Sequence, residues 1–121
     1  MPVLVADDAG TIRMLIRRAL KTLKVYDIVE ATDGIEAVEK FKSNPFDLVV
    51  LDWNMPGKTG RQVTSEIRAR DAVVPVLMVT GKAERADVLE AIRAGVTDYL
   101  LKPFSPGSLE AKLLALLPLE A

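Results

Sequence analysis

Leu48-Val49-Val50-Leu51-Asp52-Trp53-Asn54-Met55-Pro56-Gly57 decides the fold. Four apolar residues end abruptly in an acid, and a turn-forming stretch closed by Pro and Gly follows. That pattern reads as a buried strand emptying into a loop. Asp52 then stands at the carboxyl end of a strand, which is where open α/β sheets place their ligands. It is the first candidate for a chemical role, and the rest of the chain is read for groups that would assist it.

With 121 residues the chain is long enough for one core, and 1–121 is expected to form a single domain with no output domain attached. Half of its residues are apolar and 27% are charged, as in globular proteins generally. A net charge of −1 gives no reason to expect bulk affinity for nucleic acid or membrane. The N-terminus lacks the basic region of a signal peptide, and no apolar run reaches the length of a membrane span. Cysteine is absent, which removes disulfides, thiolate nucleophiles and zinc–thiolate sites and fits a reducing cytoplasm. Histidine is absent too, so Ser-His triads, His bases and His metal ligands are excluded. A metal here has to be held by oxygen, which favours a hard ion such as Mg2+.

Outward from the central stretch, short apolar runs alternate with helical patterns. Val3–Ala6 reads as strand one and stops at Asp7-Asp8. From Thr11 onward Ile12, Leu15, Ile16, Ala19, Leu20 and Leu23 share a helix face. The basic residues Arg13, Arg17, Arg18 and Lys21 fall mostly elsewhere, as a solvated face would. Tyr26–Ala31 mixes apolar and acidic residues and suits an edge strand. Asp33 and Glu36 form a capping-box pattern before a second helix carrying Ile35, Val38 and Phe41 and ending near Asn44-Pro45. Gly60 opens a third helix with Val63 and Ile67. Strand four is Val76–Val79, ending at Thr80-Gly81. A fourth helix is expected from about Glu84 to Arg93, with Val88, Leu89 and Ile92 inward and Gly95 just past its end. Tyr99–Leu101 is strand five, ending at Lys102-Pro103. Ser105-Pro106 caps a fifth helix carrying Leu109, Leu113, Leu116 and Leu117.

Strict alternation of five strands and five helices implies an α/β fold with a parallel sheet covered on both faces. Strands one, three and four are the most uniformly apolar and belong in the centre. Right-handed crossovers then give the order 2-1-3-4-5, a flavodoxin-like doubly wound sheet.

Four strands deliver useful groups to one edge: Asp7 and Asp8, Asp52, Thr80 and Lys102. Neighbouring strands lie about 4.8 Å apart, so these side chains can converge. Three clustered carboxylates repel unless a cation joins them, and Mg2+ fits while leaving room for a phosphate oxygen. Lys102 supplies a second positive charge, Thr80 a hydroxyl, and Gly81 space beside it. Each feature alone is weak; their combination at successive equivalent positions points to phosphoryl chemistry on Asp52.

Asp7-Asp8, Leu51-Asp52-Trp53-Asn54-Met55-Pro56-Gly57, Pro75-Val76-Leu77-Met78-Val79-Thr80 and Tyr99-Leu100-Leu101-Lys102-Pro103-Phe104 resemble the receiver domains of two-component response regulators, and most of all the single-domain CheY-like chemotaxis type. The resemblance spans essentially the whole chain. It implies that Asp52 takes a phosphoryl group from a histidine kinase or phosphotransfer protein and becomes an aspartyl phosphate. It implies Mg2+ held by the carboxylates of Asp8 and Asp52 and the backbone carbonyl of Asn54, with Asp7 acting through a water on the metal. Lys102 then pairs with a phosphoryl oxygen, and the Lys102-Pro103 bond is expected to be cis. Thr80 and Tyr99 are the implied switch residues, altering the face of helix four, strand five and helix five for a downstream protein target. Without the resemblance, Tyr99 reads as an amphipathic edge residue with a wet hydroxyl. Two departures stand out. Lys58-Thr59-Gly60 lacks the acid common before that glycine, for which a loop effect alone is expected. Lys82 replaces an acid, and with Asn54 it borders the path of a hydrolytic water. Lys82 is therefore expected to tune the phosphorylated lifetime; otherwise it is a solvated loop lysine. A monomer is expected, and the resemblance implies that it autocatalyses its own phosphorylation and dephosphorylation without being a metabolic enzyme.

Competing readings differ in sequence. A receiver excised from a longer regulator would look the same. A Mg2+-dependent phosphohydrolase of the haloacid dehalogenase type carries its nucleophile on strand one and usually a cap domain. An FMN binder needs a Ser/Thr/Gly loop after strand one, where Asp7-Asp8 would repel the phosphate. No helix-turn-helix or basic patch supports direct nucleic-acid binding.

Overall fold

The alternation of the sequence translates directly into layers. A computed structural model of the chain describes residues 1–81 and 85–118. Its elements run β1 (Val3–Ala6), α1 (Gly10–Thr22), β2 (Ile28–Ala31), α2 (Gly34–Ser43), β3 (Leu48–Asp52), α3 (Gly60–Arg70), β4 (Val76–Thr80), α4 (Arg85–Ala94), β5 (Asp98–Leu101) and α5 (Pro106–Leu116). The five strands form one sheet in the order β2-β1-β3-β4-β5 with every pairing parallel, as expected. The second strand begins at Ile28 rather than Tyr26, whose side chain is exposed.

Period-two alternation divides the central strands between two cores. Leu4, Ala6, Val49, Leu51, Val76 and Met78 face one cluster, shared with Val38, Val63, Ile67 and Ala91 of α2, α3 and α4. Val3, Val5, Leu48, Val50, Leu77 and Val79 face the other, shared with Ile16, Leu20, Leu109 and Leu113 of α1 and α5. Both faces are covered, so the central strands read as unbroken apolar runs. Asp52 continues the parity of Leu48 and Val50, whereas Thr80 continues that of Val76 and Met78.

The expected inward residues of α4 need correction. Leu89 is 44% exposed and Ile92 55% exposed. The helix instead turns Ala91 into the core, with Ala94 packed against the same cluster, because small side chains allow closer approach to the sheet. Its expected start at Glu84 lies outside the described residues. Leu15 and Ile35, placed on apolar helix faces by spacing, are also exposed, and Ile35 lies beside Gly57.

Side-chain caps open α2, α3 and α5. The side chain of Asp33 accepts from the Glu36 N–H, but the Glu36 carboxylate reaches back to the Thr32 N–H, one residue before the expected cap. Thr59 and Gln62 form a reciprocal capping box at α3. Gly95 has φ of 113°, a left-handed conformation that ends α4 as expected. The Lys102-Pro103 bond is cis.

Gly34 ties α2 to the loop after β3. Its N–H donates to Pro56 O at 3.2 Å, and a Cβ at this position would run into the backbone carbonyl of Lys58. Gly34→Ala is therefore expected to lower stability by about 2 kcal/mol or more, since backbone rather than a flexible side chain has to give way. Urea denaturation checks this, and a midpoint equal to the parent's would show that the contact is dispensable.

Candidate functional site

The acidic edge of the sheet is built by backbone ladders that continue slightly past the strands. Asp7 N–H donates to Ala31 O at 3.1 Å, extending the β1–β2 ladder by one residue. Ala6 pairs with Leu51, which sets Asp7 opposite Asp52 on the next rung. Lys102 N–H donates to Thr80 O at 2.8 Å, extending β4–β5 in the same way. Thr80 itself is buried at the end of β4.

These extensions converge the side chains. Asp7, Asp8 and Asp52 each offer a carboxylate oxygen within 4.8 Å of the others. Asp7 is 1% exposed and Asp52 6%, whereas Asp8 is open to solvent. Lys102 crosses from β5 to place Nζ 2.8 Å from Asp7 Oδ2 and 3.6 Å from Asp52 Oδ1. Asp7 Oδ1 accepts from the Ala9 N–H at 2.9 Å, and Asp52 Oδ1 from the Asn54 N–H at 3.3 Å.

Three carboxylates face one ammonium. Burial pushes the Asp52 carboxyl up to about 6, and the charge of Asp7 pushes the same way; Lys102 and the Asn54 N–H oppose them, and Asp8 adds a smaller upward push. An all-oxygen set with this surplus of negative charge suits a hard divalent cation, so the residues present fit Mg2+.

The expected site residues Asp7, Asp8, Asp52 and Lys102 thus come together, with Thr80 beside them on the adjacent strand end. Asn54 follows Asp52 and is exposed. Tyr99 lies half exposed on β5, with Lys112 Nζ 5.9 Å from its ring centroid; Lys112 also pairs with Asp98 at 2.9 Å. Lys82 lies outside the described residues. Sequence reading missed the direct ion pair between Asp7 and Lys102, which joins residues far apart in the chain. It also missed the Thr59–Gln62 box, whose Thr-x-x-Gln spacing is a legible helix-start signal.

A doubly wound sheet with an acidic cluster and a lysine at its carboxyl edge defines a class, and residues 3–114 match the response regulator receiver domain family. The chain belongs to that family. It is 41% identical to chemotaxis protein CheY-3 of Vibrio cholerae, over 93% of this chain and 88% of that protein. It is likewise 41% identical to chemotaxis protein CheY of Pseudomonas aeruginosa, over 93% of each. The solved structure of chemotaxis response regulator CheY4 of Vibrio cholerae superposes with a TM-score of 0.89 at 32% identity, covering 96% of this chain and 98% of that one. The chain is a CheY-like receiver domain of two-component signalling, a signalling switch rather than a classical enzyme. No helix among the described residues is long and apolar enough to cross a membrane.

Proposed function

We propose that the chain works as a phosphorylation-operated switch with Asp52 as acceptor. The supporting observation is Lys102 Nζ seated between two buried carboxylates, 2.8 Å from Asp7 and 3.6 Å from Asp52. An Asp52 carboxylate oxygen attacks the phosphorus of a phosphohistidine on a partner kinase or phosphotransfer protein. The P–N bond breaks, and the released imidazole takes up a proton. Lys102 meets a phosphoryl oxygen as a point charge. Asp8 and Asp52 would hold Mg2+ with the backbone carbonyl of Asn54, and Asp7 would act through a water on the metal. When bound, Mg2+ neutralises charge on the transferring phosphoryl group.

Output is a two-state change. Thr80 moves to hydrogen-bond the new phosphate. Tyr99 turns from its half-exposed position into the space Thr80 leaves. The α4–β5–α5 face changes accordingly, and a downstream protein reads it. The exposure of Leu89, Ile92, Tyr99 and Leu101 supports that assignment, since apolar side chains on one face favour protein contact.

Mass spectrometry after incubation with a small-molecule phosphodonor and Mg2+ tests the reading. One added phosphoryl group is expected, absent in Asp52→Ala. Phosphorylation that persists in Asp52→Ala, or sustained turnover of small phosphate esters by the parent protein, would replace this reading with another.

A further inference from the structure

We propose that Arg13 is a positioning residue for the acidic cluster, held in place by Glu30; this rests on the Mg2+ site proposed above. Asp7 is tethered at four points. Its N–H reaches Ala31 O, Oδ1 accepts from Ala9, Oδ2 pairs with Lys102, and its backbone carbonyl accepts from Arg13 Nη1 at 2.8 Å. Three of these come from neighbouring backbone or from the site itself. The fourth comes from a long side chain on α1, whose direction something else must set.

Glu30 on β2 sets it. Its Oε1 lies 3.1 Å from Arg13 Nε, while its Oε2 lies 2.8 Å from Arg17 Nη1. The two arginines fix the carboxylate from both sides, and the carboxylate aims the Arg13 fork at the strand end. Arg13 is only 19% exposed, so this is not a loose surface pair.

The carbonyl of Asp7 shares a rigid peptide plane with the N–H of Asp8. Holding that oxygen fixes the plane, and with it the directions in which both acids leave the backbone. A charge-assisted bond to a carbonyl is among the stronger ways of doing so. Arg13 meets Asp7 through its backbone carbonyl and acts on the cluster through Asp7 and Asp8.

Electrostatics and positioning predict opposite signs here. Removing a nearby cation favours binding of Mg2+. Loosening the Asp7–Asp8 peptide weakens it. Isothermal titration with Mg2+ alone on the full chain separates the two. Arg13→Ala is expected to weaken binding about tenfold, in the range seen when a partner that orients a metal ligand is lost. Arg17→Ala, which disturbs the same Glu30 but leaves the carbonyl bond, is expected to change it less than about twofold, well below that range. Arg13→Lys keeps the charge but loses the fork, and carries the test if the alanine variant does not fold; weakening of about threefold or more is expected, short of the alanine effect because an ammonium can still reach the carbonyl. Unchanged or tighter binding in the folded Arg13 variant, or equal weakening in Arg17→Ala, would overturn the positioning role while leaving Asp52 as acceptor. A parent protein that binds no Mg2+ would overturn both.

Discussion

Asp52→Asn is expected to stabilise the metal-free protein at neutral pH while abolishing its phosphorylation. The unfolded carboxyl titrates near 3.8 and the folded one at about 6, chiefly because burial disfavours the charged form and Asp7 repels it. A folded carboxyl with a raised pKa contributes stability that is fully present below the unfolded value and is lost as pH rises through the folded one. The window therefore opens near pH 4 and closes above about 6. Above it, the folded state carries a buried charge that Asn does not. At about 1.4 kcal/mol per unit, the shift sets a ceiling of roughly 3 kcal/mol, and a gain of about 1–3 kcal/mol is expected. Urea melts of both proteins at pH 4.5 and 7.5 in chelator read the effect as a difference, which cancels the carboxylates remote from Asp52. The gap should widen with pH and shrink when Mg2+ is added to the parent, since a ligand for the folded state adds stability. A gap that is absent at pH 7.5, or of opposite sign, would mean that Lys102 compensates the charge completely.

Lys102→Met is expected to produce the largest loss. It removes the ammonium facing Asp7 and Asp52 and leaves their buried carboxylates uncompensated, with Asp8 beside them. Breaking a fully buried pair on one side costs about 3–5 kcal/mol. Lys102 keeps some contact with water, being 21% exposed, so a loss of about 2–4 kcal/mol at pH 7 without metal is expected. The loss should diminish as pH falls below about 6 and Asp52 protonates. Phosphoryl transfer to Asp52 should slow by about 100-fold or more, because a preorganised charge at the transferring group is gone. In the Asp52→Asn background the loss caused by Lys102→Met should be smaller than in the parent, because one of the two carboxylates facing the ammonium is then neutral and groups in direct contact are not additive. Full stability of Lys102→Met in chelator would show that the pair contributes nothing to the fold.

The two effects share a cause. Asp52 is costly to ionise where it sits, and Lys102 and a divalent cation relieve that cost. The same crowding that penalises the metal-free fold gives the site its affinity for positive charge. Variants that relax the crowding should gain stability and lose function together.

Much of this was legible before any coordinates. Val3–Ala6, Leu48–Leu51 and Val76–Val79 are apolar runs too short for helices and bounded by turn residues, so their number, type and central place followed. Ser105-Pro106 and Gly95 marked helix ends through local backbone chemistry. Misplacements clustered where locality fails. The pattern on α4 offered several apolar stripes, and packing chose the small one through Ala91 over Leu89 and Ile92. Glu36 found the Thr32 N–H within reach instead of its own cap residue.

The sequence by itself determined the strand-helix alternation and which acids, hydroxyl and lysine stand at strand ends. Hydrophobic period and capping act over a few residues, so a linear reading captures them. Only the tertiary structure decided that Lys102 pairs first with Asp7, that Arg13 reaches the carbonyl behind it, and that Gly34 must be bare to let Lys58 pass. Each of these depends on the register of parallel strands and on how helices settle against the sheet. Those are set by the packing of the whole core at once, and no short window of the chain contains them.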